Sequence, residues 1–383
     1  MTPRRPHSIR AACQRARHAV LAGAVVLAVG LSLAGCDDPE PIRIGFIGGL
    51  SGRSADLGEA SRNAVQLALQ QANAAGGIDG REIELMVRDD RNDPAVAAAA
   101  VRDLQASGVA AIIGPNISAV AEGMLPVIDE LGVITISPTI SALEFAGRDD
   151  NLFRINFTTR DNARIYARHY AEAGIGQVAA AIDGNNRVFS QSWLDEFAAA
   201  FAELGGKVVA TDIFDAKDAR GYSDTARRLL ASAPQAILLI ANSVDTAQLA
   251  QQIRKLDGEI LLVAAEWAAS ERLLQLGGKA IEGLELVQSY DRNDRSAHYA
   301  AFRQAYRERF QQEPGYSSIA AYDAVTVLLA ALRTPSDGRD LKTVLLDLPP
   351  VPGLQQPVKF DRYGDAQRRA FFVVVRDGRF RSL

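Results

Sequence analysis

Past residue 41 the chain alternates between short apolar runs and longer segments whose apolar residues recur at helical spacing. Residues 42–47 (IRIGFI) are the first run and end in Gly48-Gly49. Residues 59–75 follow, with Val65, Ala68, Leu69 and Ala72 on one stripe, which predicts a helix with one buried face. Gly76-Gly77 stops it, as glycines do past a helix end, and Asp79-Gly80 is a tight-turn signal. In 82–88 the alternation puts Ile83, Leu85 and Val87 on one face of a strand. Asp93-Pro94 opens a helix, with aspartate as cap and proline in the first turn. A strand at 109–113, a helix at 118–131 and a strand at 133–136 continue the series. It then resumes with strands at 177–182, 207–211, 236–241 and 260–264, and with helices at 190–204, 223–231 and 246–256.

Strands alternating with helices of this length predict an α/β fold whose parallel sheets are covered on both faces. The number of units argues for two sheets and hence two Rossmann-like lobes. Open parallel sheets bind ligands beyond the carboxyl ends of their strands. That rule selects residues 48–58, 114–118, 137–141, 183–191, 241–245 and 265–270.

Composition narrows the class. The chain has 383 residues, 48% hydrophobic and 23% charged, with a formal charge of -4. One or two ordinary domains fit that length, and neither a basic stripe for nucleic acid nor a long acidic block is present. The first 36 residues stand apart. Arg4, Arg5, Arg10, Arg15 and Arg17 precede an uncharged run at 19–33, too short for a membrane span of about 20 residues and suited to the core of a secretory signal. Leu33-Ala34-Gly35-Cys36 ends that run like a bacterial lipobox. Residues 1–35 are therefore expected to be a lipoprotein signal peptide, and 36–41 a spacer bearing a lipid on Cys36. The other cysteine, Cys13, lies in the signal, so no disulfide is expected. Asp37 points to retention at the inner membrane.

The chemistry is that of a binder. There is no G-x-S-x-G, and the four histidines (His7, His18, His169, His298) have no metal-ligand spacing. Gly48-Gly49-Leu50-Ser51-Gly52 fails both phosphate-loop patterns and suits a loop that approaches something closely. No catalytic residue, metal or cofactor is expected, and the chain is read as not an enzyme. Two neighbouring strand ends instead carry hydroxyls: Ser118 closes 114–118, and Ser137, Thr139 and Ser141 occupy 137–141. Ser118 suits the N-cap of the following helix, and Ser137 and Ser141 suit a turn. Hydroxyl donors beside a helix N-terminus also suit a carboxylate. Glu266, followed by Trp267, ends the strand at 260–264 and could face an ammonium group, or simply begin a surface loop.

The stretches IRIGFIGGLSGRSADLGEASRNAVQLALQQANAAGGIDGREIELMVRDDRNDP and IIGPNISAVAEGMLPVIDELGVITISPTIS resemble the periplasmic branched-chain amino acid-binding proteins, type I solute-binding proteins of ABC transporters. The resemblance runs from about residue 42 to the end. It implies two lobes joined by three hinge crossovers, with 42–158 plus 288–356 as lobe 1 and 159–287 plus 357–383 as lobe 2. It also implies that Ser118, Thr139 and Ser141 hold a ligand carboxylate, Thr139 through backbone, and that Glu266 pairs with the α-ammonium. Asn242, Phe189, Leu57 and Trp267 would line the ligand pocket, and Tyr290 its mouth. The loop at 184–188 is longer than in the branched-chain type, and Leu57 and Asn242 replace aromatics. A disulfide of some members would join the positions of Asn92 and Ile117, so it is absent.

The expectation is a periplasmic, lipid-anchored, monomeric binding protein of an ABC importer. It would capture an amino acid, branched-chain or aliphatic, or a close analogue, and dock on a permease in the inner membrane. A small-molecule sensor of the same fold, of the amide or urea type, and a binder of an aromatic or other carboxylate are the rivals.

Overall fold

The structure is a computed structural model that describes residues 40–215 and 221–383. The signal expected at 1–35, the lipid site at Cys36 and the spacer up to Pro39 lie outside the described residues.

The first sheet has the order β2-β1-β3-β4-β5, from Ile83–Asp89, Ile42–Gly48, Ala111–Ile113, Thr135–Ser137 and Leu152–Arg154. All its pairings are parallel. Helices α1 (Ala55–Ala74), α2 (Pro94–Ala106) and α3 (Ser118–Leu131) connect its strands. Leu104 of α2 and Met124 and Ile128 of α3 are fully buried with Ile44 and Phe46 of β1. The helix starts follow the sequence signals. Asp93 accepts from Ala95 N and Val96 N with Pro94 as the first helical residue of α2.

The second sheet has the order β12-β11-β10-β9-β8-β6-β7. Its parallel part is β6 (Gln177–Asp183), β7 (Lys207–Phe214), β8 (Ala236–Ile240), β9 (Leu261–Ala264) and β10 (Glu285–Gln288). The five residues of β8 are all buried, as expected of a central parallel strand. The last two strands, β11 (Phe371–Arg376) and β12 (Arg379–Ser382), run antiparallel. This sheet is therefore mixed, where parallel strands alone were expected; the sharp turn at Asp377-Gly378, both at positive φ, lets β12 return directly beside β11.

The chain passes between the sheets at 155–158, at 289–296 and before β11. A capping box of Thr158 and Asp161 begins α4 (Thr159–Glu172) after the first passage. After the second, α9 (Ala297–Phe310) and α10 (Tyr316–Arg333) return to the first sheet, and α10 packs along α1. The third passage was expected near Pro357. Bridges Arg154–Asp365 and Phe360–Ala366 instead keep the chain beside β5 as far as Ala366, so it crosses only between there and Phe371.

One buried pair ties these passages together. Arg368 Nη2 donates to Asp323 Oδ2 of α10 at 2.8 Å, and Arg368 Nε donates to Ile155 O of the first passage at 3.1 Å. Gln356 reaches the other two, donating to Ser289 O at 2.9 Å and accepting from Arg369 N at 2.7 Å. Removing one partner of a buried pair strands the other charge. Arg368→Ala is expected to destabilise the fold by about 3–5 kcal/mol, read as a lower denaturation midpoint in urea.

Candidate functional site

The carboxyl ends of β3 and β4 are laced to each other. Ser137 Oγ donates to Pro115 O at 2.7 Å and accepts from Ile140 N at 3.2 Å. Thr139 Oγ1 donates to Asn116 O at 2.7 Å and accepts from Asn116 Nδ2 at 3.3 Å. Ser118 was expected to cap α3. It is instead the first helical residue, with Ile117 at the cap position, and its Oγ accepts from Ala142 N at 3.4 Å. Ser137 and the Thr139 hydroxyl are thus braces that hold the loops in register. The Ser118 and Ser141 side chains are left on a cavity wall.

That cavity lies between the two sheets and is small, about 20 Å³. Leu57, Asn116, Ser118, Thr139, Ser141 and Asn156 face it from one side, and Asn186, Phe189, Glu266 and Trp267 from the other. Tyr316, at the start of α10, completes it and donates its hydroxyl to Trp267 O at 3.4 Å. Phe189, in α5 (Arg187–Glu203), meets Trp267 edge to face, with ring centroids 5.5 Å apart. Leu57, Phe189, Trp267 and Tyr316 are all buried and form the apolar part of the wall.

Glu266 dominates the electrostatics. It begins a 3-10 turn at Glu266–Ala268 just past β9 and is buried. Trp193 Nε1 donates to its Oε2 at 2.9 Å, while Oε1 has no well-formed partner among the described residues. Burial pushes its carboxyl up to about 7, against the opposing pull of its own backbone amide, Trp193, Asn162 and Ser141. Both amide atoms of Asn162, in the first turns of α4, are buried without a partner of their own. The charge on Glu266 is therefore expensive unless a cation answers it.

Across the mouth, each side offers an anion to the other. Arg53 pairs with Asp245 at 2.7 Å, and Asp56 accepts from Ser243 Oγ at 2.7 Å and Ser270 Oγ at 2.6 Å. Asp245 also accepts from Tyr222 and from Asn242.

Seven residues singled out in the sequence meet at this cavity: Ser118, Thr139, Ser141, Glu266, Phe189, Leu57 and Trp267. Two do not. Asn242 caps α7 (Ser243–Leu256), with Oδ1 accepting from Asp245 N and Nδ2 donating to Asp245 Oδ2, so both halves of its amide are committed. Tyr290 borders a separate small cavity at the hinge with Asp323, Gln356 and Arg368, not the mouth. Sequence reading missed Asn116, Asn156, Asn186 and Tyr316. Asn116 and Asn186 lie inside strand-end windows that the topology rule selected, whereas Asn156 sits in the first crossover and Tyr316 at the start of α10, outside every such window.

A family model described as periplasmic binding protein matches residues 41–379. The Leu/Ile/Val-binding protein BraC3 of Rhizobium johnstonii is 23% identical over 334 residues, covering 86% of this chain and 90% of that protein. Among solved structures, a leucine-binding protein from Thermotoga maritima superposes with a TM-score of 0.82 at 24% identity, over 89% of this chain and 97% of that one. An ABC-transporter solute-binding protein from R. palustris in complex with benzoate superposes with a TM-score of 0.81 at 18% identity, over 90% and 95%.

A carboxyl raised to about 7 in the fold and near 4.5 when unfolded favours the native state only while protonated. Its burden therefore grows as pH rises from about 4.5 to about 7 and is constant above that. Glu266→Gln is expected to leave ligand-free stability unchanged near pH 4 and to raise it by up to about 3 kcal/mol at pH 8, measured by urea denaturation across that range.

Proposed function

The chain belongs to the periplasmic binding protein family, and we propose that it captures an α-amino acid between its two lobes for delivery to an ABC permease. The observation that carries this reading is Glu266, a buried carboxylate with one unpartnered oxygen at a cavity whose other side presents the Ser118 and Ser141 hydroxyls. A zwitterion supplies an ammonium for the first and a carboxylate for the second, so neither charged end is buried alone. Leu57, Phe189, Trp267 and Tyr316 would receive an apolar side chain, which agrees with the leucine, isoleucine and valine named for the relatives. Delivery rather than sensing is favoured because the solved neighbour with benzoate is described as part of an ABC transporter. The lipid on Cys36 would tether the protein to the periplasmic face of the inner membrane, acting as a monomeric binding subunit and not as an enzyme.

A second reading has its own support. Protonated at a carboxyl pKa of about 7, Glu266 would not repel an aromatic carboxylate among Phe189, Trp267 and Tyr316, and benzoate is the ligand of a close structural neighbour.

The two readings have opposite pH slopes. Binding an ammonium requires Glu266 ionised, so amino-acid affinity should be flat above about pH 7 and fall up to about tenfold per pH unit below it. An aromatic carboxylate should bind more tightly as pH falls. A thermal-shift screen of residues 37–383 against amino acids and aromatic acids, at pH 6 and pH 8, measures both through RT ln(1 + [L]/Kd). Stabilisation by neither class would refute the assignment. Ser141→Ala is expected to weaken the best ligand roughly tenfold in isothermal titration.

A further inference from the structure

Asn186 departs from what its position favours. It is the residue before α5, where asparagine commonly caps its own helix, yet its side chain makes no cap there. Its Oδ1 instead crosses the cleft and accepts from Ala119 N of α3 at 3.0 Å. That helix needs the help, because its own cap position holds Ile117, which has no oxygen to offer. A residue of the second lobe therefore caps a helix of the first. Oδ1 being committed, Nδ2 is the half of the amide left to the cavity that Asn186 lines. The residue as a whole is only 4% exposed. An amide donor of the second lobe thus lies beside Ala119, one residue from Ser118, facing the wall that offers hydroxyls to an anion.

We propose that Asn186 is a ligand-binding residue that couples capture of a carboxylate to lobe closure, its Oδ1 capping α3 while its Nδ2 donates to the ligand's carboxylate. This rests on the carboxylate site of the proposed function and adds to it a donor from the opposite lobe. Both bonds form only when the lobes meet, so a ligand carboxylate favours the closed state through the same side chain that satisfies the helix end. A ligand with an amide in place of the carboxylate would offer that donor a neutral acceptor and gain less.

Two variants separate capping from binding. Asn186→Asp keeps an oxygen for Ala119 N but sets an anion against the carboxylate; Asn186→Ala loses both functions. Isothermal titration of the intact chain uses L-leucine at pH 8 and benzoate at pH 6 as probes, with hydrogen exchange at the Ala119 amide as the readout of the cap. The expected result is a loss of affinity of roughly tenfold for Asn186→Ala and about a hundredfold for Asn186→Asp, with Ala119 exchange faster only in Asn186→Ala. Asn186→Asp binding within about twofold of wild type would overturn the inference and leave Asn186 as a cap alone. Wild type binding neither probe nor any other carboxylate would overturn the proposed function and this inference together.

Discussion

A carboxylate with no cation beside it, sealed between two lobes, is the constraint on which the rest of this structure turns. Glu266 gains one full hydrogen bond, from Trp193, and keeps an oxygen unanswered. The surroundings are arranged for that burial. Trp193 is itself fully buried, stacked on Phe197 and set edge to face against Tyr166, so its N–H is fixed in direction. Tyr166 in turn donates to Ala264 O and accepts from Val287 N, joining the last residue of β9 to β10 just behind the turn that carries Glu266. A carboxylate buried in this way interacts strongly with whatever enters. On the proposed reading, that is the source of selectivity for an ammonium.

Closure follows from the same economy. Asp245 is almost wholly buried and takes donors from Arg53, Tyr222 and Asn242, and only Arg53 belongs to the other lobe. Opening the cleft would cost Asp245 one donor of three, which leaves a satisfied carboxylate. Asp56 holds two serines of the opposite lobe and would exchange them for water. These contacts can therefore be made and broken without stranding a charge. Glu266 is different: on the proposed reading its missing partner is the ligand, which contributes what these contacts cannot.

The fold was legible in the chain because parallel strands and their covering helices have strong local periodicity. Asp93-Pro94 marked a helix start that the structure reproduces. The antiparallel β11–β12 pair was not read, since short strands at a sheet edge leave little pattern. At the site, strand-end logic found Ser118, Ser141 and Glu266 but misjudged the work of their neighbours. Asn242 looks like a ligand contact in one dimension, and only its bonds to Asp245 show that its amide is used up. Ile117 is an apolar residue at a cap, a local mismatch visible in the sequence whose remedy, Asn186, lies 69 positions on in space alone. Asn156 arrives by a crossover and Tyr316 by a helix start far from any strand end, and no local pattern records either placement.

The two walls of the cavity are unequal, and that inequality orders the events. The first-lobe wall is cross-braced by Ser137 to Pro115, Thr139 to Asn116 and Ala142 to Ser118, all bonds within that lobe. It keeps its shape whether or not the lobes meet. Hydroxyls on such a wall are preorganised, and preorganisation lowers the entropy cost of the first contact. The second-lobe wall carries the expensive charge and the one amide that reaches across. Neither acts until closure. On the proposed reading a ligand therefore docks by its carboxylate on the rigid wall, and the ammonium draws Glu266 down upon it.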